Sequence, residues 1–98
     1  MESLGSLMAN AGGSERRVLQ AAHTIAIVDS TLHDITGLSH KDARAVSLKS
    51  DTAIVVVHHP AIAAIIYRDA SQILELVNDK LRRGGSRQRI RRLSTRVG

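Results

Sequence analysis

The 98-residue chain has no cysteine, tryptophan or phenylalanine, a single tyrosine (Tyr67) and a single proline (Pro60). Without cysteine there is no disulfide framework and no thiolate metal site, so the fold must hold by packing alone, and a reducing compartment is permitted. With one aromatic ring the usual platform for stacking nucleic-acid bases is missing, which excludes base reading in the style of an RNA-recognition motif. No segment reaches the roughly 18 unbroken apolar residues of a membrane span. Met1-Glu2-Ser3-Leu4-Gly5 carries no basic region leading into an apolar stretch, so no secretory signal is expected. The expectation is a soluble, cytoplasmic chain.

Catalytic signatures are also missing. There is no nucleophile elbow, P-loop, dinucleotide-type glycine pattern or cysteine nucleophile. The reading is of a protein that is not an enzyme and uses no cofactor. The five histidines are His23, His33, His40 and the adjacent pair His58-His59. Neighbouring residues on a strand point to opposite faces, so His58 and His59 cannot share a metal there. His33 and His40 flank a predicted helix end, where a third ligand would have to come from elsewhere. Surface or N-cap roles are expected for the histidines, with no metal. Glu15, Asp29, Asp34, Asp69, Glu75 and Asp79 are expected on solvated helical faces.

The 43% apolar content is enough for one core, and residues 1–98 are read as a single domain. Leu4, Leu7 and Met8 suggest a short first helix, and Asn10-Ala-Gly-Gly13 reads as a break. Ser14 is a suitable N-cap for a second helix running to Thr36, with Val18, Ala21 or Ala22, Ile25, Val28, Leu32 and Ile35 at helical spacing and Gly37 at its C′ position. The β-branched run Thr24 to Val28 leaves a strand open as an alternative. From Ala43 the period falls to two, with Arg44, Val46 and Leu48 on one side and Ala45 and Ser47 on the other. Lys49-Ser50-Asp51 supplies turn chemistry before the β-branched Thr52 to His58, and the two segments read as a hairpin.

His59-Pro60 then opens a helix whose apolar stripe is Ile62, Ile66, Ala70, Ile73, Val77 and Leu81, widened by Ile65, Leu74 and Leu76. Lys80, Arg82, Arg83 and Gly84-Gly85 end it. Beyond the turn, Arg91, Leu93, Thr95 and Val97 alternate with Arg92, Ser94 and Arg96, a third strand with Leu93 and Val97 on the core and Arg92 and Arg96 outward. The predicted fold class is α+β, in the order α-α-β-β-α-β, with a three-stranded sheet covered on one face by helices.

The charge is uneven. Up to Leu81 the balance is seven basic residues against nine acidic ones, −2, whereas Arg82 to Gly98 holds seven arginines and no acid, +7. A cluster of like charge has a polyanion or an acidic protein surface as its natural counterpart, the alternative being a solvated tail or inward salt bridges. Arginine presents a planar fork suited to phosphate oxygens, and neutralising several phosphates gives strongly salt-dependent, sequence-tolerant binding. The candidate contacts are Arg82, Arg83, Arg87, Arg89, Arg91, Arg92 and Arg96. Lys41, Arg44 and Lys49 join them if the hairpin lies beside the last strand. Gly84-Gly85-Ser86 is read as turn chemistry, the alternative being backbone amides that approach a phosphate.

The stretch Arg44-Ala-Val-Ser-Leu-Lys-Ser-Asp-Thr-Ala-Ile-Val-Val-Val-His-His-Pro-Ala-Ile62 resembles the core of the DciA family, bacterial proteins that load or operate the replicative DNA helicase and were formerly described as possibly RNA-binding. Ile73-Leu74-Glu75-Leu76-Val77-Asn78 is similar to that family's "ILxxLN" helix end, Ile90 to Gly98 to its closing "IRRLRFRVG" strand, and Leu32 to Gly37 to its "WxxIVG" box. Ile62 and Leu32 stand where the family carries tryptophan. The resemblance covers most of the chain and implies a K-homology-like sandwich, although the Gly-x-x-Gly clamp of K-homology domains is absent. It further implies a DNA-linked role, with single-stranded or forked DNA and a replicative helicase as partners. General RNA binding, including association with the ribosome, and an adaptor for an acidic protein are the competing readings.

Overall fold

Two helices and three strands follow one another in the computed structural model, which describes residues 12–98: α1 (Gly12–Thr36), β1 (Ala43–Lys49), β2 (Thr52–Val57), α2 (Pro60–Arg83) and β3 (Arg92–Val97). The expected short helix around Leu4 to Met8 lies outside the described residues. The Thr24 to Val28 run is helical, and α1 begins at Gly12, two residues before the expected N-cap Ser14. Each glycine costs a helix about 1 kcal/mol relative to alanine, but extending an existing helix gains one hydrogen bond per residue fixed and avoids a second nucleation. Gly37 closes α1 as expected, at φ +74 with its N–H donated to the His33 carbonyl at 2.9 Å.

The caps of α2 also follow the sequence. His59 is its N-cap in extended conformation, with Nδ1 accepting the Ala61 N–H at 3.1 Å and Pro60 in the first turn. At the other end the Gly84 and Ser86 amides donate to the Lys80 and Leu81 carbonyls, and Gly85 takes φ +81, which a side chain would oppose.

β1 and β2 form an antiparallel hairpin, and β2 pairs in parallel with β3, so β2 is the central strand. Parallel neighbours need a crossover of a dozen or more residues, and α2 supplies it. α1 packs on α2 and β1, while α2 packs on β3 and β2. Both helices therefore cover one sheet face, and the α+β class with a sheet covered on one side holds. Between the layers, Val28, Leu32, Ile66, Ile73, Val77 and Leu81 meet the inward Ala53, Val55, Val57 and Leu93, with Ile90 from the α2–β3 loop. Small Ala43, Ala45 and Ala53 let the helices approach the sheet closely.

The period-two reading of β1 needs correction. Ala45 pairs with Val55 but Ser47 with Ile54, so Val46 is the extra residue of a β-bulge. The alternation flips there: Ala43, Ala45 and Leu48 face the helices, whereas Arg44, Ser47 and Lys49 face away. Two more apolar residues leave the expected core. Val97 is 56% exposed because it ends an edge strand flanked on one side only, and Leu76, at 36%, lies at the margin of the α2 stripe.

Candidate nucleic-acid interface

The sheet face that the two described helices leave uncovered is assembled from the outward positions of all three strands. Pairing sets them in rows: Arg44, Val56 and Arg96 in one, Ser47, Ile54 and Ser94 in the next, and Lys49, Thr52 and Arg92 in the third. Cations thus stand on both edge strands at both ends of the face, around the half-buried Ile54 and Val56. With strands about 4.8 Å apart and a rise of about 3.3 Å per residue, Arg44 and Arg96 are roughly 10 Å apart at Cα, and Arg92 and Arg96 roughly 13 Å.

No acidic residue occupies these rows. Among the described residues Arg44, Lys49, Arg92 and Arg96 form no ion pair, and all are exposed. At the Arg44 corner a shallow depression is lined by Lys41, His40, His58, Val56 and Gly98, with one acid, Asp42. Lys41 therefore extends the cationic face, as expected once the hairpin and last strand share a sheet.

The arginine run itself divides. Arg82 and Arg83 sit in the last turn of α2 and both pair with Asp79, at 2.7 and 3.1 Å, which spends part of their charge locally. Arg87 and Arg89 lie in the loop to β3, and Arg89 Nη1 donates to the Ser86 and Gln88 carbonyls at 3.1 and 2.7 Å. Arg91 precedes β3 rather than belonging to it; its amide and that of Arg92 donate to the Asp51 carbonyl in the hairpin turn, at 2.8 and 3.3 Å. Of the seven clustered arginines only Arg92 and Arg96 belong to the open-face rows. The remaining cations of those rows, Arg44 and Lys49, come from a part of the chain with net acidic composition.

Tyr67, on α2, is not a stacking platform for that face. Its hydroxyl oxygen accepts the Thr95 amide at 3.0 Å and the Thr95 hydroxyl at 3.1 Å, so the ring spans the outer edge of β3 on the helix side. Edge strands expose unpaired amides that invite further pairing, and this contact caps one. The same two donors hold the Tyr67 phenol below its ordinary value of 10.0, the Thr95 hydroxyl contributing most.

A second cluster was missed in the sequence. Asp29, expected on a solvated face, stands beside both His33 and His40, with side-chain carboxylate oxygens 3.2 and 3.3 Å from their ring nitrogens. The signal available was the i, i+4 spacing of Asp29 and His33, which stacks them on one helix face.

The chain matches no model of a known protein family, and no curated protein matches it.

Proposed function

We propose that this chain is a non-catalytic, cytoplasmic nucleic-acid-binding module that grips the phosphates of single-stranded or forked DNA on its open sheet face. The observation that carries the reading is the set of cations Arg44, Lys49, Arg92 and Arg96 around Ile54 and Val56, which form no ion pair among the described residues and have no acid in their rows. Two cationic edges separated by an uncharged centre suit a flexible strand laid across the sheet, with phosphates held at its margins and bases over the aliphatic middle. The lack of an aromatic on that face argues for sequence-tolerant attachment. Lys41 extends the contact at one corner. Arg82, Arg83, Arg87, Arg89 and Arg91 contribute longer-range attraction from the end of α2 and the following loop.

The resemblance to the DciA family supports DNA over RNA. It also supports an accessory role in bacterial replication, with a replicative helicase as protein partner, and a K-homology-like arrangement of the fold.

Fluorescence anisotropy with labelled single-stranded, forked and duplex DNA and single-stranded RNA, at two salt concentrations, tests the reading. Salt-sensitive binding that prefers single-stranded or forked DNA, and weakens by more than about tenfold in Arg44→Ala/Lys49→Ala/Arg92→Ala/Arg96→Ala, is expected. A preference for single-stranded RNA would replace the replication role with general RNA binding. No binding at low salt would turn the search to an acidic protein partner.

A further inference from the structure

We infer that Asp29, His33 and His40 form a binding site for a divalent transition metal of the zinc or cobalt class, independent of the nucleic-acid reading. Asp29 and His33 lie one turn apart on the last part of α1, and the turn at Gly37 brings His40 back over them. One donor atom from each of the three lies within 4.8 Å of the others. Bonds of about 2.0–2.2 Å arranged tetrahedrally set neighbouring ligand atoms roughly 3.3–3.6 Å apart. Asp29 Oδ1 stands 3.2 Å from His33 Nε2 and Oδ2 3.3 Å from His40 Nδ1, so each imidazole nitrogen already has a carboxylate oxygen at that spacing.

The hydrogen bonds of His33 favour a cation at this point. Its Nδ1 is 2.6 Å from the Leu38 carbonyl and its Nε2 is 3.2 Å from Asp29 Oδ1. Both oxygens only accept. A neutral imidazole has one ring proton, and once it goes to the Leu38 carbonyl the Nε2 lone pair faces a carboxylate. An ion between Nε2 and the carboxylate turns that opposition into coordination. A backbone carbonyl on the remote ring nitrogen is also the usual support for a metal-ligating histidine, because it fixes tautomer and ring orientation. Asp29 is supported in the same way, since Oδ1 accepts the Ala45 N–H at 2.9 Å.

Two imidazoles and a carboxylate suit a first-row transition metal such as zinc, iron or nickel better than calcium or magnesium, and cobalt(II) serves as the spectroscopic probe of such a site. Asp29 and His33 are 19% and 13% exposed, and His40 is 75% exposed, so ions enter from the His40 side. Three protein ligands leave a coordination position for water. The bound ion ties the end of α1 to the loop before β1, fixing Lys41 beside Arg44 at the corner of the open face.

The test is titration of the full chain, stripped by a chelator, with cobalt(II) chloride while its visible d–d absorption is followed, and with zinc chloride by calorimetry. One equivalent of cobalt is expected to produce the spectrum, and zinc to displace it. His40→Gln, at an exposed position where the fold survives, should weaken binding by at least about tenfold, the scale of even outer-sphere changes at metal sites; His33→Gln and Asp29→Asn should abolish it. No cobalt spectrum and no zinc heat with the wild type would overturn the site, leaving Asp29, His33 and His40 as a brace at the end of α1. Full affinity retained in His40→Gln would overturn the three-residue site equally, placing the metal elsewhere.

Discussion

The side-chain amide of Asn78 takes the place of a strand partner for Ile90: its Nδ2 donates to the Ile90 carbonyl at 2.9 Å and its Oδ1 accepts the Ile90 amide at 2.8 Å. Ile90 is fully buried just before β3, where the sheet has not yet begun to satisfy its backbone. A buried amide and carbonyl must find partners, and one residue on α2 supplies both. This pair holds the arginine-bearing loop against the helix and sets where β3 enters the sheet.

Asn78→Ala leaves both backbone groups unsatisfied and should destabilise the fold by about 2 kcal/mol. Asn78→Asp keeps the acceptor for the Ile90 amide but sets a carboxylate oxygen against the Ile90 carbonyl, so at neutral pH it should destabilise at least as much as the alanine variant. Urea unfolding followed by circular dichroism measures both.

Tyr67 is the only tyrosine and there is no tryptophan, so its ionisation can be followed by ultraviolet absorbance without interference. Its midpoint should lie below 10.0, and Thr95→Val, which removes the stronger of the two donors, should move it back up. An acid whose folded-state pKa is depressed adds stability above its unfolded value and loses it as pH falls through the folded value. The gain from this ionisation therefore belongs to alkaline solution and is absent at neutral pH.

Ser50, in the hairpin turn, is the one non-glycine residue with positive φ among the described residues, at 59°. That conformation costs an L-residue about 1–2 kcal/mol, against roughly 0.5–1 kcal/mol of extra chain entropy lost by glycine on folding. Ser50→Gly should raise stability by about 0.5 kcal/mol, seen as a higher urea midpoint at unchanged slope.

If Arg44, Lys49, Arg92 and Arg96 each neutralise one phosphate of a single strand, log affinity should fall with log salt at a slope of about −3. Arg92→Ala/Arg96→Ala should roughly halve that slope. Arg82→Ala/Arg83→Ala removes the same charge where Asp79 already pairs with it, and should change the slope far less. Equal effects from the two variants would mean that net charge, not the open face, governs attachment. Anisotropy titrations across a salt series decide.

Local structure was legible in the chain wherever one residue dominates its own backbone. Pro60 after His59 placed the start of α2, and Gly37 and Gly84-Gly85 placed the helix ends. The α2 stripe announced its buried face through Ile66, Ile73, Val77 and Leu81. Alternation placed Leu93 inward and Arg92 and Arg96 outward on β3. It failed on β1 because an inserted residue at Val46 changes no composition, yet reverses every side chain beyond it.

Sequence by itself therefore determined the α+β class, the hairpin, both helix caps of α2 and the excess of arginine near the end of the chain. Only the tertiary structure decided which charges act together. Placing β2 between β1 and β3 put Arg44 and Lys49 level with Arg96 and Arg92, while Asp79 engaged Arg82 and Arg83 elsewhere. The turn at Gly37 likewise set His40 against Asp29 and His33. Charge and ligand donors act through space over a few ångströms, whereas sequence separation records only the path of the chain. Strand order and loop reversal convert one into the other, and the packing that fixes them is shared by residues far apart in the sequence.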